Sequence, residues 1–344
     1  MTTDSRARLI PEWLKELMGL AADASEGTCV VCHGQSFSVQ DGILRDSSMA
    51  SDSQKKTSET FGFKWQQRDT FENSAALSRV RDWLLNRYGN PEQEGWLKGL
   101  REPALVLDAG CGAAMSALEY WGPHLEQILY LGADISRAID VARDRFQERN
   151  IPAGFIQANL MELPLPQQSV DVIFSEGVLH HTDSTREAFM ALHPLLKPGG
   201  LFMFYVYRRK GPVREFTDDH IRERLQGMTP EEGWESMKPL TKLGEALGKL
   251  NVEVEVPESV DLIGVPAGRV NIQRLFYWHF CKAFYDPDLS LEEMNHINFD
   301  WYAPANAHRH SIEEVRQWCE ESGFSIEREC IEEAGITIVA RKAE

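Results

Sequence analysis

The sequence predicts an α/β fold in which a doubly wound, mostly parallel sheet of seven strands carries a helical cap inserted near its end. Apolar runs alternate with helix-like segments between residues 104 and 207, the pattern of parallel strands joined by crossover helices. The buried run 105–108 leads directly into a turn that contains Gly110 and Gly112. Two further apolar runs within residues 325–341 are typical of an antiparallel hairpin that completes such a sheet.

Length, charge and cysteine content narrow the class of protein. At 344 residues the chain is long enough for one large α/β domain with additions, or for two domains. Its formal net charge of -17 argues against nucleic acid or an anionic membrane as the main partner. We find neither an apolar run of membrane-spanning length nor the apolar core of a signal peptide. The six dispersed cysteines favour free thiols in a reducing cytoplasm.

The glycine turn after the first strand of this core indicates the kind of ligand. Gly110 and Gly112 allow a sharp turn and a close approach of a ligand to the main chain. A dinucleotide-binding turn has a third glycine, where this chain has Met115, and it places a pyrophosphate at a helix N-terminus. Asp108 would repel that phosphate and suits a ligand with a positive end. S-adenosylmethionine, which carries an ammonium and a sulfonium, fits better, and a nicotinamide dehydrogenase is the weaker alternative.

The D-x-G-x-G pattern from Asp108 to Gly112 resembles the first motif of the class I S-adenosylmethionine-dependent methyltransferases, which have a Rossmann-like sheet. The L-K-P-G-G turn at residues 196–200 is also similar to that family. The resemblance covers residues 76–207, which we expect to form the cofactor-binding core, and in outline residues 311–344. It implies S-adenosylmethionine as the cofactor, with the turn residues, Cys111 included, in contact with it.

The ends of the next two strands supply further candidate contacts. Asp134 ends the second strand, where a carboxylate can accept hydrogen bonds from both hydroxyls of a ribose. The alternative role of Asp134 is to cap the following helix. We expect its neighbour Ile135 to contact the cofactor as well. At Asn159 the family often has an acid that binds the adenine amino group. The asparagine can still accept through its carbonyl oxygen, and Leu160 would pack against the adenine.

The segment 175–181 follows the fourth strand and crosses the edge of the sheet at which ligands bind in open α/β folds. We therefore expect Ser175 and Glu176 to contact the cofactor. His180 and His181 are adjacent, so their side chains diverge, and no third metal ligand is evident. We predict no metal there, and the histidine pair resembles one found in methyltransferases that need none. A catalytic base and a capping or packing role both remain open for the two histidines.

The beginning of the chain, residues 1–75, is predicted to be an extension of the core. Cys29 and Cys32 form a C-x-x-C pair, which supplies half of a structural zinc site at most. The segment 29–44 resembles the small zinc-ribbon-like module fused ahead of some methyltransferases, but the second cysteine pair of that module is absent. A metal-free hairpin is the prediction, and zinc is the alternative. Residues 46–60 are polar and rich in serine, which predicts a linker or a mobile loop.

A cluster of aromatic residues occupies positions 61–71. One interpretation is a hydrophobic anchor onto the core. The other follows from the family resemblance, because many such methyltransferases close an aromatic N-terminal segment over the cofactor. In that case Trp65 and Thr70 would be its contacts.

Residues 208–310 interrupt the alternation of strands and helices. In the family, an insertion at this place commonly forms a cap over the substrate. Charged side chains beside tryptophan and tyrosine fit a polar substrate held between an aromatic wall and a few fixed charges. The alternative is that solvated helices carry the charges while the aromatic residues pack. The candidate substrate contacts are Arg208, Arg214, Asp300, Tyr302 and His308.

Together these features predict a cytoplasmic enzyme that transfers a methyl group from S-adenosylmethionine to a small, polar acceptor by in-line displacement. A non-catalytic S-adenosylmethionine- or adenosine-binding scaffold that docks a protein partner is the alternative. Oxygen, nitrogen, carbon and sulfur acceptors are all compatible with such a core. A general base is needed only if the acceptor arrives protonated. The candidates for that base are His180, His181, Tyr207 and His220.

Overall fold

The computed structural model describes residues 9–46, 51–70 and 74–344. The strands, numbered in chain order, are β1 (Cys29–Cys32), β2 (Gln35–Gln40), β3 (Ile43–Asp46), β4 (Ala104–Ala109), β5 (Ile128–Asp134), β6 (Gly154–Gln157), β7 (Val170–Glu176), β8 (Leu196–Tyr207), β9 (Glu253–Val256), β10 (Gly268–Asn271), β11 (Phe324–Ile331) and β12 (Gly335–Lys342). The helices are α1 (Glu12–Met18), α2 (Asp52–Gln66), α3 (Ser74–Tyr88), α4 (Pro91–Glu94), α5 (Met115–Trp121), α6 (Ala138–Glu148), α7 (Thr185–Leu192), α8 (Pro212–Leu225), α9 (Pro230–Leu250), α10 (Ile272–His279), α11 (Leu291–Tyr302) and α12 (Ile312–Glu321).

One large sheet organises the molecule, with the strand order β1-β2-β3-β6-β5-β4-β7-β8-β12-β11. The strands from β6 through β8 in this order run parallel, and β12 lies antiparallel between β8 and β11. The predicted mostly parallel α/β fold is therefore confirmed. The predicted number of seven strands is wrong, because the described part of the sheet has ten. The three additional strands come from the N-terminal extension, and β3 pairs in parallel with β6 at Leu44 and Ile156.

Both faces of the sheet are covered, as the continuous apolar strands require. Every residue of β4 is buried. Val106 packs into the cluster on one face, where Tyr120 stacks on Phe174 with 5.7 Å between ring centroids. Leu107 packs into the cluster on the other face, where Phe189 stacks on Phe202 at 5.0 Å. The alternation of neighbouring side chains between two cores is the direct consequence of the strand's period of two.

The expected loop at residues 46–60 is wrong where the structure describes it, because α2 begins at Asp52. The side chain of Ser51 caps that helix by accepting a hydrogen bond from the main-chain N–H of Gln54. The buried face of α2 carries Gln54, Thr57 and other polar or small residues rather than aliphatic ones. The sequence therefore lacks the apolar periodicity by which amphipathic helices are recognised.

The C-x-x-C pair lies on β1, and its two side chains diverge. Cys29 is exposed, whereas Cys32 is buried and its thiol lies 2.9 Å from the carbonyl oxygen of Met18. Residues three apart on an extended strand point to opposite faces, so the two sulfur atoms do not face a common point. Within the described ranges, no group of three or more histidine, cysteine, aspartate and glutamate side chains has the arrangement of a metal site.

Residues 208–310, the predicted cap, contain α8 to α11 and the small β9–β10 hairpin. A buried polar network joins α9 to α11. Asn298 donates to the hydroxyl of Thr241 at 2.9 Å, and that hydroxyl donates to Asn295 at 2.8 Å. Buried polar groups of this kind must be satisfied together, so the network fixes one helix against the other. In the part of the chain that the structure describes, no helix combines the length and the apolar composition needed to cross a bilayer.

The burial of β3 yields a prediction about stability. Leu44 is fully buried in the core beneath α1, and we expect Leu44→Ala to lower the free energy of unfolding by about 2–5 kcal/mol because it leaves a cavity. Val31 lies on β1 and is 68% exposed, so Val31→Ala should change it by no more than about 0.5 kcal/mol. Urea unfolding of both variants measures the difference. Equal, small effects would mean that the N-terminal strands are not part of the cooperative core.

Candidate active site

A cavity of about 600 Å³ crosses the carboxyl ends of the central strands and continues beneath the cap. That volume lies within the roughly 300–1,000 Å³ that is usual for small-molecule and cofactor sites. Residues of the glycine turn, of α2 and of the cap line it. The predicted site residues that it brings together are Trp65, Asp108, Gly110, Cys111, Gly112, Asp134, Ile135, Asn159, Leu160, Glu176, His181, Tyr207, Arg214 and Asp300.

The glycine turn has a backbone that only glycine adopts easily. Gly110 has φ +87° and Gly112 has φ +51°, both in the left-handed region. A Cβ atom on Gly110 would lie 2.1 Å from Val178, and one on Gly112 would lie 2.9 Å from the indole nitrogen of Trp65. The aromatic ring of α2 is thus in place directly against the turn. A side chain at either position would collide with Val178 or Trp65, so the close packing of these two residues on the turn requires glycine.

Asp134 connects the turn to the end of β5. Its Oδ2 accepts the main-chain N–H of Gly112 at 2.8 Å, and its Oδ1 accepts the N–H and the hydroxyl of Ser136 at 2.7 and 2.6 Å. The alternative role of Asp134 as a helix cap is not what the structure shows, because α6 begins at Ala138 with Arg137 as its N-cap and no side-chain capping bond. A carboxylate offers about four acceptor positions, so one remains towards the cavity. Burial raises the pKa of Asp134, and the bonds from Ser136 and Gly112 counteract that rise.

Asp108 lies at the end of β4 and is almost fully buried. The hydroxyl of Tyr130 donates to its Oδ2 at 2.6 Å. Burial raises the pKa of Asp108 to about 7, although the Tyr130 bond favours the ionised form. A buried carboxylate with no cation beside it is costly, and a positively charged group in the cavity would remove that cost. The chemistry of this end of the cavity therefore fits the ammonium or the sulfonium of S-adenosylmethionine.

Asn159 has a different arrangement from the one that the sequence suggested. Its side-chain oxygen accepts the main-chain N–H of Met161 at 3.1 Å and the amide of Gln54 at 3.4 Å. Both lone pairs of that oxygen are used, so the side chain has donors left rather than an acceptor. Donors suit the ring nitrogens of an adenine, whereas its amino group needs an acceptor. Leu160 lines the cavity beside it.

Glu176 belongs to a buried charge cluster that sequence reasoning missed. Arg87 donates to Glu176 at 2.9 Å and to Glu332 at 2.6 Å. Its guanidinium carbon lies 3.3 Å from the ring centroid of Trp83 and 3.8 Å from that of Tyr205, so aromatic faces supply further cation–π contacts. All five side chains line the cavity. No local signal marks the charge of Arg87, because its carboxylate partners Glu176 and Glu332 lie on β7 and in the final hairpin, far from it in the sequence.

Among the predicted bases, His181 has the suitable environment. Its Nδ1 lies 2.7 Å from the carbonyl oxygen of Asn306. A carbonyl only accepts, so Nδ1 carries the proton and Nε2 keeps its lone pair. Burial lowers the pKa of His181 to about 4, and the ring is therefore neutral at neutral pH. His181 thus lines the cavity, and its Nε2 is unprotonated at neutral pH.

The two other candidate bases near His181, His180 and Tyr207, lie in different environments. His180 is fully buried and packs against Tyr207 with 3.7 Å between ring centroids. It does not line the cavity, and burial lowers its pKa well below the usual value. Tyr207 does line the cavity, but burial raises its pKa well above 10. Its phenol therefore stays protonated and can donate a hydrogen bond rather than remove a proton.

Two predicted residues lie away from the cavity on exposed surface. His220 is on the outer face of α8, stacked on Phe216 at 6.3 Å. The buried positions of that helix include Arg214 and Asp218, and a residue two places after Asp218 points away from them. Arg208 is also exposed. The structure therefore corrects the roles expected of His220 in catalysis and of Arg208 in substrate binding.

The remaining four predicted residues are engaged inside the protein and are absent from the cavity lining. Thr70 contacts His296 at 2.7 Å. The hydroxyl of Ser175 donates to the carbonyl of Ala109 at 2.8 Å, which ties β7 to β4. Two cap residues complete this group. The ring of His308 contacts the carbonyl of Thr182 at 3.0 Å, and Tyr302 donates to Asp218 at 3.0 Å.

An ion pair closes the cavity between α2 and the cap. Lys64 contacts Asp300 at 2.5 Å, and the lysine side chain is only 6% exposed. Burial would raise the pKa of Asp300, but the ammonium of Lys64 holds it down at about 2. The carboxylate is therefore ionised over the whole physiological range. In the sequence, Lys64 lies within the aromatic cluster at positions 61–71, and nothing there indicates that Asp300 is its partner.

Comparison with known proteins found a family model, curated relatives and solved structures that this chain resembles. Residues 107–204 match the family described as "Methyltransferase domain". A sterol 24-C-methyltransferase from Pneumocystis carinii is 27% identical over 48% of this chain and 43% of its own length. A tRNA U34 carboxymethyltransferase from Hydrogenovibrio crunogenus is 29% identical over 56% of each chain. Among solved structures, a magnesium protoporphyrin IX methyltransferase from Synechocystis PCC 6803 is 14% identical, covers 86% of this chain and 100% of its own, and has a TM-score of 0.44.

The segment 107–204 thus matches a methyltransferase domain, and S-adenosylmethionine is the cofactor of the class I methyltransferases that the sequence resembles. The chain spans about half the length of the two curated relatives. The residues that would hold the cofactor are the glycine turn, the two acids Asp108 and Asp134, and Trp65.

The raised pKa of Asp108 predicts how cofactor-product binding depends on pH. Below about pH 7 the carboxyl is protonated, and a ligand that places its ammonium beside Asp108 must displace that proton. We expect the affinity for S-adenosylhomocysteine to rise about tenfold per pH unit up to about pH 7 and then to level off. Calorimetry in two buffers of different ionisation enthalpy would detect the released proton.

Asp108→Asn should remove this proton release, whereas Asp144→Asn, on the exposed side of α6, should retain it. An affinity that does not change between about pH 5.5 and about pH 8 would contradict the role of Asp108.

Proposed function

We propose that this protein transfers a methyl group from S-adenosylmethionine to a small-molecule acceptor by in-line displacement within the cap-covered cavity. The observation that carries the proposal is the continuity of that cavity, which reaches from the acids of the glycine turn to the aromatic and charged residues of the cap. When bound, S-adenosylmethionine supplies a methyl group that its sulfonium has already activated. The protein then has to bind the donor and the acceptor, orient them towards each other and exclude water.

The closed arrangement of α2 and the cap supports these tasks. Trp65 packs against Gly112 at one end of α2, and Lys64 of the same helix pairs with Asp300 of α11. One helix therefore connects the cofactor end with the acceptor end. Holding two reactants in a productive geometry can contribute up to roughly 7–11 kcal/mol towards a barrier, and residues of α2 and α11 line the cavity in which they would be held.

His181 is the residue that we propose as general base for an acceptor that arrives protonated. Asn306 fixes its tautomer, so Nε2 carries the lone pair. Tyr207 stands beside it, with 5.4 Å between ring centroids, and offers a hydroxyl that can donate to the acceptor. No metal is part of this proposal.

A small molecule is the acceptor class that we favour over RNA. The sterol methyltransferase among the relatives supports it, and the net charge of -17 disfavours a polyanion. The tRNA-modifying relative makes RNA the competing candidate. We also propose a cytoplasmic location, because the six cysteines are unpaired in the structure.

The first experiment separates these classes. The purified protein is incubated with methyl-labelled S-adenosylmethionine and either the low-molecular-weight fraction or the RNA fraction of a cell extract. We expect S-adenosylhomocysteine and a labelled product in the first fraction, and their loss in Asp134→Ala. Label in RNA alone would refute the small-molecule acceptor. If the protein binds S-adenosylhomocysteine yet turns over with neither fraction, the non-catalytic scaffold would be the better description.

The second prediction concerns the base. We expect His181→Asn to lower kcat roughly 10²–10⁴-fold with a protonated acceptor, while its affinity for S-adenosylhomocysteine changes little. Because burial lowers the pKa of His181 to about 4, the kcat of the unaltered enzyme should stay level from neutral pH down to about pH 5 and fall below that. His220→Asn, at an exposed histidine outside the cavity, is the matched control. A kcat that drops equally in both variants would rule out a specific role for His181.

A further inference from the structure

The acceptor end of the cavity is lined by the acids Asp300 and Glu333 and by five cations, which are Lys64, Lys210, Arg214, Arg274 and Lys282; of these residues Arg274 and Glu333 are exposed. Two of its cations have carboxylate partners. Lys64 pairs with Asp300 at 2.5 Å, and Arg214 donates to Asp218 at 2.7 Å. Both pairs are closed within the protein, so each is largely neutral towards a ligand.

Two lysines have no such partner. Within the described ranges, neither Lys210 nor Lys282 has a carboxylate oxygen within 4.0 Å of its ammonium, although both line the cavity. Lys210 donates to two carbonyl oxygens, those of Arg208 and Ala334, at 2.6 and 2.9 Å. The ammonium of Lys282 lies 4.6 Å from the ring centroid of Trp301, and the carboxylates of Asp300 and Asp218 act on it from farther away.

Lys282 is held in a fixed place although its charge is unmatched. It is 7% exposed, and its main-chain N–H donates to the hydroxyl of Tyr302 at 2.9 Å. Burial lowers the pKa of Lys282 to about 7, with Asp300 opposing that effect and Arg214 adding to it. Burial likewise lowers the pKa of Lys210 to about 7, with Arg214 and Lys282 adding to it and Asp218 and Glu215 opposing it. A buried cation without a counter-charge destabilises a protein unless a ligand supplies the opposite charge.

The walls beside these lysines are aromatic. The ring of Trp301 lies 4.3 Å from that of Tyr207 between centroids, and Lys210 lies 5.5 Å from the same indole. Trp278 and Phe284 line the cavity as well. Flat aromatic surfaces favour a flat or otherwise apolar ligand body, and the ammoniums at their margin favour an anionic substituent on it.

We propose that the acceptor is an organic anion, with a carboxylate or a phosphate bound by Lys282 and assisted by Lys210, and an apolar, preferably aromatic body packed against Trp301. This inference rests on the proposed function and specifies its substrate class. The anionic group would orient the acceptor at the cap end and direct the rest of the molecule towards His181 and the glycine turn.

A pair of ligands that differ in one charge tests the proposal. The protein is first saturated with S-adenosylhomocysteine and then titrated calorimetrically with indole-3-carboxylate and, separately, with indole-3-carboxamide. We expect the acid to bind about tenfold more tightly or better, as one charge-assisted hydrogen bond provides. Phenyl phosphate, titrated in parallel, decides whether the site prefers a phosphate to a carboxylate.

Three variants identify the residue responsible. Lys282→Met should abolish the preference for the acid, whereas Lys282→Arg, which keeps the charge, should preserve it. Lys238→Met, at a lysine that pairs with Glu235 on the outer part of α9, is the control and should behave as the unaltered protein. Preserved preference in Lys282→Arg also excludes a trivial loss of folding at this position.

Several outcomes would overturn the inference. These are equal binding of acid and amide, no measurable binding of the acid, or a preference that survives in Lys282→Met. If Lys282→Met lowers kcat but leaves the preference intact, the lysine acts on the reaction and not on an anion. Binding of S-adenosylhomocysteine is measured first, so its absence contradicts the proposed function, whereas its presence without acid preference contradicts this inference alone.

Discussion

The site depends on one hydrogen bond, from the main-chain N–H of Gly112 to the carboxylate of Asp134. It joins the turn after β4 to the end of the neighbouring strand β5, so the geometry of the turn is fixed by the register of two parallel strands. A buried charge-assisted bond of this kind is among the stronger polar interactions in a protein. Because this bond holds the turn in place, Trp65 of α2 can pack closely against Gly112. The geometry at the cofactor end of the cavity is therefore determined by the pairing of strands in the sheet and not by the loops.

The sequence predicted this part of the molecule because its determinants are local. Asp108 and Asp134 each follow a continuous apolar strand, and carboxyl ends of parallel strands meet at one edge of a sheet. The glycines mark the turn because any Cβ atom there would collide with Val178 or Trp65. A few consecutive residues are enough to indicate the period of a strand, the chemistry of a turn and the end of a strand. These local features sufficed to predict the central parallel sheet and the edge at which its cavity lies.

The features that the sequence did not predict depend on contacts between distant segments. Helix α2 has a polar buried face, because it packs against main chain and charged side chains instead of an aliphatic core, so its residues looked like a linker. Arg87 is buried by partners from three other elements. His220 and Arg208 had the right chemistry, but the orientation of α8 and of the end of β8 turns them outward. In an insertion that does not pair with the sheet, packing decides which face of a helix points inward. Residue spacing alone does not specify that packing.

Charges of opposite sign are segregated along the one cavity. At the glycine turn, Asp108 is a buried acid whose pKa is raised by burial, whereas at the cap Lys282 is a buried cation with no carboxylate oxygen within 4.0 Å in the described part of the chain, although Asp300 and Asp218 act on it from farther away. Between them, Lys64 and Asp300 neutralise each other and join the two walls. Unmatched buried charges are costly in the free protein, so a fold that keeps one at each end is complementary to ligands of opposite charge. A cationic donor at one end and an anionic acceptor at the other would attract each other across the low-dielectric interior, where that attraction is least screened.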